Sequence, residues 1–400
     1  MNSIKRKVLI VPSWYPVSFV TDQMKLMEDE FDFKVLVGKR TEMGKRKALA
    51  RILSARFKRF SLNRRILPDI HYDFISTEYI YINALPQYFE KQQMKILDKH
   101  FNQMFSEIDM AGWTPDLIHI QSISDTAVFV CNWAENNHIP VILTEHILYI
   151  RRKFDFFQKE KERIYSRAQK VLFVSNYLYR NLLTNGFEIS KGEIIGNFVD
   201  DTYLPATFDK IDNHTRMLFV ATHLSDKDIN TLFSAFRILL NSGFTNFTLD
   251  IIGLGPQYRY ISDSGSYTVL CEEIERYGLT KHINIKGFIS KEVLLKSFGN
   301  YSFLVSTSLS ETFGLVIAEA IMYGLPVVCT DSGGIRDFVN ESNGIIVPVK
   351  NPKAFSNGII QMINNLNNYN LSQISSEMTE KFGSRIFFNR LKKEYIQVIN

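Results

Sequence analysis

Four hundred residues, 45% of them hydrophobic and with 20 Gly and 11 Pro, are enough to bury two ordinary cores, and the composition is neither disordered nor collagen-like. The 47 Lys and Arg against 42 Asp and Glu leave a formal charge of +5, too small for this length to point to nucleic acid by itself. Cys131, Cys271 and Cys329 are widely spaced and form no CxxC pair, so they indicate neither a disulfide framework nor a zinc site and read as buried reduced thiols.

The chain opens with Lys5-Arg6-Lys7 running straight into Val8-Leu9-Ile10-Val11, far too short for a signal-peptide core. No apolar run approaches the roughly 18 residues of a membrane span, so a cytoplasmic protein is expected. Val8–Val11, Lys34–Val37, Leu117–Ile120, Val141–Leu143 and Val171–Val174 read as buried parallel strands, separated by helix-period stretches. Between the second and third of these, Lys39 to Arg65 holds eleven Lys or Arg against one acid, Glu42. Leu49, Ile52, Leu53, Phe57 and Phe60 recur within it at three- or four-residue steps, which predicts a basic amphipathic helix suited to an anionic membrane surface. His119 follows Leu117-Ile118 and is expected at a strand's C-terminal end, facing a ligand cleft; His146, after Glu145, ends the next strand and is an acceptor-side candidate.

Turn residues in Gly196-Asn197-Phe198-Val199-Asp200, then Pro205, mark a boundary. Beyond it the strand pattern restarts with Met217–Val220, Leu249–Ile252, Ile283–Ile285, Phe303–Val305, Pro326–Cys329 and Gly344–Val347. The fold class is therefore α/β: two Rossmann-like doubly wound domains facing a cleft, residues 1–197 and 198–380. Apolar Ile386, Phe387, Leu391, Tyr395 and Val398 make 381–400 a terminal helix able to pack back on the first domain.

The richest segment for chemistry is Ser306–Asp337, STSLSETFGLVIAEAIMYGLPVVCTDSGGIRD. A strand leads into a polar turn with Glu311, and a helix begins around Phe313-Gly314-Leu315 and carries Glu319. Gly314 lets a ligand approach the backbone, and the free N–H groups of a first helical turn attract phosphate. Two carboxylates at this spacing can hold two ends of one ligand; taken alone, the same pair would more simply be a helix-start charge and a solvated residue.

Glu311-Thr312-Phe313-Gly314-Leu315 through Glu319-Ala320, followed by Gly324-Leu325-Pro326, resembles the E-x7-E signature of glycosyltransferase family 4. Ser308, Gly333-Gly334, Ile252-Gly253-Leu254-Gly255-Pro256, Gly287-Phe288 and the segment Gly196–Asp200 fit the same pattern in the same order. The resemblance implies a GT-B fold and a retaining, metal-independent hexosyltransferase that needs no cofactor. The donor would be a UDP- or GDP-linked sugar bound by the second domain, and the acceptor a lipid-linked or glycan hydroxyl bound by the first. Glu311 would lie near the donor sugar, Glu319 on the ribose, and Thr312, Phe313, Gly314 and Leu315 around the diphosphate. Gly253, Gly255, Gly287 and Phe288 would line the nucleotide, and Lys227 the diphosphate. His119 would reach the donor sugar.

Two departures stand out. The arginine that the family pairs with Lys227 falls at Ala221 or Thr222, leaving His223 as the nearest candidate, and Ser18-Phe19 replaces a glycine in the first loop. The product would be a cell-surface polysaccharide or glycolipid. The rivals are a nucleotide-sugar epimerase of the same fold, a phosphorylase, for which no pyridoxal lysine motif is found, and a non-catalytic nucleotide-sugar-binding subunit. Nucleic acid is not expected as a partner.

Overall fold

A computed structural model describes residues 5–13, 18–43, 73–82, 87–148, 158–189, 192–208, 214–222, 224, 226–254 and 266–400. The chain divides into two compact units, residues 1–195 with 388–400, and residues 196–387. In the first, β1 (Arg6–Pro12), β2 (Phe31–Met43), β3 (Asp73–Ile82), β4 (Leu117–Gln121), β5 (Val141–Glu145), β6 (Lys170–Phe173) and β7 (Gly192–Ile194) form one parallel sheet in the order β3-β2-β1-β4-β5-β6-β7. Helices α1 (Ser18–Met27), α2 (Gln87–Met110), α3 (Asp125–Asn136), α4 (Gln158–Arg167) and α5 (Asn176–Thr184) alternate with these strands. Every residue of β4 and β5 is buried, as a sheet covered on both faces requires. Lys39–Met43 continue β2 and pair with β3, Lys39 opposite Glu78, so the helical reading fails for that part of the basic stretch. Its remainder, 44–65, lies outside the described residues.

The second unit holds β8 (Thr215–Val220), β9 (Phe247–Ile252), β10 (Ile283–Gly287), β11 (Phe303–Ser306), β12 (Val327–Thr330) and β13 (Gly344–Val347) in the parallel order β10-β9-β8-β11-β12-β13. Its helices are α6 (Ile229–Asn241), α7 (Ser266–Arg276), α8 (Lys291–Ser297), α9 (Leu315–Met322), α10 (Pro352–Asn365) and α11 (Leu371–Phe382). Phe219, Phe233, Phe236, Phe247, Phe303 and Phe355, each at most 2% exposed, fill the core between sheet and helices. The doubly wound class read from the pattern is the one found. In this order the chain reverses direction across the sheet between β8 and β11, and ligands of open α/β sheets bind at such a switch point, outside the strands' C-terminal ends. The last helix, α12 (Ser384–Ile399), starts in the second unit and from Phe388 belongs to the first. Among the described residues, no helix is long and apolar enough to cross a membrane.

Candidate active site

At the switch point of the second unit the loops after β8 and β11 are laced together. Leu309 N–H donates to Asp226 O (2.9 Å), Asp228 N–H donates to Thr307 O (3.1 Å), and Lys227 and Ser308 form an antiparallel bridge between them. Asp228 then caps α6 by accepting from Thr231 N–H (3.0 Å), so the lysine sits on a loop anchored at both ends. Its ammonium donates to Ser308 Oγ at 2.8 Å and to Glu311 Oε1 at 2.5 Å. The two charged side chains are only 17% and 22% exposed.

Glu311 is fixed from the other side by the loop after β12. Its N–H donates to Ser332 O (2.7 Å) and its carbonyl accepts from Gly334 N–H (2.9 Å). Glycine is demanded at 334 because a Cβ there would stand 2.1 Å from Thr312 O. Thr330 Oγ1 donates to Ser308 O (2.6 Å), tying the same loop to β12. Gly314 has φ 93° and ψ 56°, in the left-handed region open to glycine, and turns the chain into α9. Phe313 is buried against Phe338 and Phe382, so only its backbone can meet a ligand. Leu315 opens the helix, whose first N–H groups have no acceptor within it. Glu319, one turn on, is 8% exposed rather than solvated. A cation, a carboxylate and a helix N-terminus thus converge on one strand-end site, a combination that holds an anion beside hydroxyl groups.

The glycines predicted after β9 and β10 also sit at strand ends. Gly253 follows β9 with φ 103°, where a Cβ would lie 2.4 Å from Ala221 O, and its N–H donates to Gly287 O (2.8 Å). Gly287 has φ 73° and open space where a side chain would project, and Phe288 beside it is 56% exposed. His223 and Gly255 lie outside the described residues. No three His, Cys, Asp or Glu side chains come together as metal ligands among the described residues.

Both candidate histidines belong to the first unit and are enclosed there. His119 lies in the middle of β4, paired in register with Ile10 and Ile142, and is 1% exposed, which corrects the reading of a strand-end side chain open to a cleft. The strand runs on to Gln121, and Tyr395 of α12 covers the ring: His119 Nδ1 is 2.6 Å from Tyr395 Oη and Nε2 is 2.7 Å from Thr144 Oγ1. His146 follows β5 and is 7% exposed, again not open as an acceptor-side group would be. Its Nε2 lies 2.6 Å from Gln121 Oε1, an oxygen that can only accept, so the proton sits on Nε2. Gln121 Nε2 in turn donates to Gln23 Oε1 (3.2 Å) across this unit's own switch point. Burial drives both imidazoles down to about 3, with the neighbouring His146 a smaller contribution at His119. Glu145 is buried too and its carboxyl is raised by desolvation, against which Tyr165 Oη donates at 2.6 Å. Sequence reasoning missed this network, because Gln121 and Tyr395 carry no motif.

Residues 204–380 match the family described as Glycosyl transferases group 1, and residues 94–203 match Glycosyltransferase Family 4. The two matches adjoin and together run over residues 94–380, and the two doubly wound units have the GT-B fold. Two uncharacterised glycosyltransferases of Methanocaldococcus jannaschii are similar. MJ1607 is 27% identical over 47% of this chain and 45% of its own length, and MJ1178 is 27% identical over 61% and 64%. The matched part of the chain therefore spans less than two thirds of either relative. Among solved structures, Anabaena HepE in complex with UDP superposes with a TM-score of 0.66 over 98% of this chain and all of that one, at 17% identity.

Proposed function

We propose that this chain transfers a hexosyl unit from a nucleoside-diphosphate sugar to a hydroxyl acceptor with retention of anomeric configuration. The observation that carries the reading is the Lys227–Glu311 pair at the β8/β11 switch point, beside the α9 N-terminus. The diphosphate would lie on the first-turn amides of α9 and on Lys227, Glu311 would accept from sugar hydroxyls, and Glu319 from the ribose. As the bond from the anomeric carbon to the phosphate oxygen breaks, negative charge grows on the leaving group beside these donors, and such stabilisation is the main catalytic effect asked of the site. The acceptor oxygen bonds to the same face of the carbon, and its proton passes to the departing phosphate oxygen. No protein nucleophile and no metal ion takes part in this reading.

The acceptor we propose is lipid-linked or a glycan destined for cell-surface polysaccharide or glycolipid, reached at an anionic membrane surface. The nine basic residues of 44–65, beyond the end of β2, support this placement. HepE's bound UDP makes UDP-sugars the first donors to try. The test is nucleoside diphosphate release from a panel of UDP- and GDP-sugars, alone and with lipid extracts. Acceptor-dependent release with at least one donor is expected; interconversion of the sugar without acceptor would instead show an epimerase.

A further inference from the structure

Lys227 has three ammonium protons, two of them directed to Ser308 and Glu311, and its backbone is pinned by the bridge to Ser308. Glu311 is pinned equally, through Ser332 and Gly334. A diphosphate drawn to this lysine must therefore compete with a carboxylate already on it, at 2.5 Å, in a site enclosed enough that water screens the pair only partly.

Building on the transferase reading, we propose that Glu311 is a resident counter-ion that makes the site select intact sugar donor over free nucleoside diphosphate. A donor brings hydroxyl groups beside its diphosphate. When the phosphate oxygens claim Lys227, those hydroxyls donate to Glu311 and replace the interaction it gives up. A nucleoside diphosphate brings more phosphate charge, because its terminal phosphate ionises a second time, but no sugar hydroxyls, so Glu311 gains no replacement partner and keeps the lysine from the newcomer. After transfer the sugar has left with the acceptor, Glu311 recovers Lys227, and the nucleotide product loses that contact and dissociates. The carboxylate thus acts on both substrate choice and product release.

Calorimetry with UDP, or GDP if UDP fails, on wild type, the nearly isosteric E311Q, K227M and the double variant tests this. E311Q should bind the free nucleoside diphosphate about five- to tenfold more tightly than wild type, the range of a partly enclosed ion pair. Its preference for a UDP-sugar over UDP should shrink accordingly, and in the K227M background the gain from E311Q should largely vanish. Equal or weaker binding by E311Q while wild type binds would overturn the proposal, as would a gain that survives in full without Lys227. Failure of the wild type to bind either nucleoside diphosphate would instead remove the transferase reading on which it stands.

Discussion

Glu311 and Lys227 are set by backbone lacing on both sides, so changing their side chains should alter chemistry and spare the fold. Glu311→Ala is expected to lower transfer about 100-fold or more while the thermal unfolding midpoint stays near that of the wild type; near-normal turnover would remove Glu311 from the site. The buried histidines predict the opposite behaviour, a stability effect. Each imidazole is held at about 3 in the folded chain against 6.5 when free, so the unfolded chain binds more protons between these values. Stability is then full above about pH 6.5 and lost as pH falls toward 3, by about 1.4 kcal/mol per pH unit for each ring. Urea unfolding at pH 5.5 should show about 2 to 3 kcal/mol less stability than at pH 7.5, and H146Q should remove about half of that difference. At this scale Glu311, Glu319 and Gly314 were legible because one contiguous segment carries them with its helix start. The enclosure of His119 was not, because the ring that covers it lies 276 positions away in Tyr395.

Among the elements, α12 is fastened to the first unit by two buried side chains, Glu394 and Tyr395. Tyr395 is 1% exposed, meets the Phe31 ring edge-on at 5.2 Å and reaches His119, while Glu394 lies 2.9 Å from Lys170 Nζ. Tyr395→Phe should cost about 1 to 2 kcal/mol by leaving a buried ring nitrogen without its hydroxyl partner. Tyr395→Ala should cost about 3 to 5 kcal/mol through the cavity it opens, and a loss of equal size in both variants, read by chemical denaturation, would show that packing around the ring is not what matters. The core strands were readable because each centres on a short, mainly apolar run set between helix-period stretches. The edge strands β3 and β7 were not: β3 mixes Asp73, Ser76, Thr77 and Glu78 among its apolar residues, and β7 is only Gly192-Glu193-Ile194 with its first two residues exposed. Charge hid the length of β2, whose last residues Lys39–Met43 look like the start of a solvated basic run when no neighbouring strand is known.

On the scale of the whole chain, the restart of the strand pattern at Met217 was enough to divide the sequence into two doubly wound units. The spatial order of the strands, and hence the switch point, was not, since periodicity says which segments pair with a sheet and not which neighbour each takes. That order is what brings Lys227, after β8, to Glu311, after β11, although 84 positions separate them. The central claim is that this junction holds a nucleoside diphosphate, and a crystal structure of the full chain with bound UDP tests it most directly. Phosphate oxygens are expected within about 3 Å of Lys227 Nζ and of the N–H groups opening α9. A nucleotide bound elsewhere on the chain, with Lys227 still held by Glu311 alone, would contradict it.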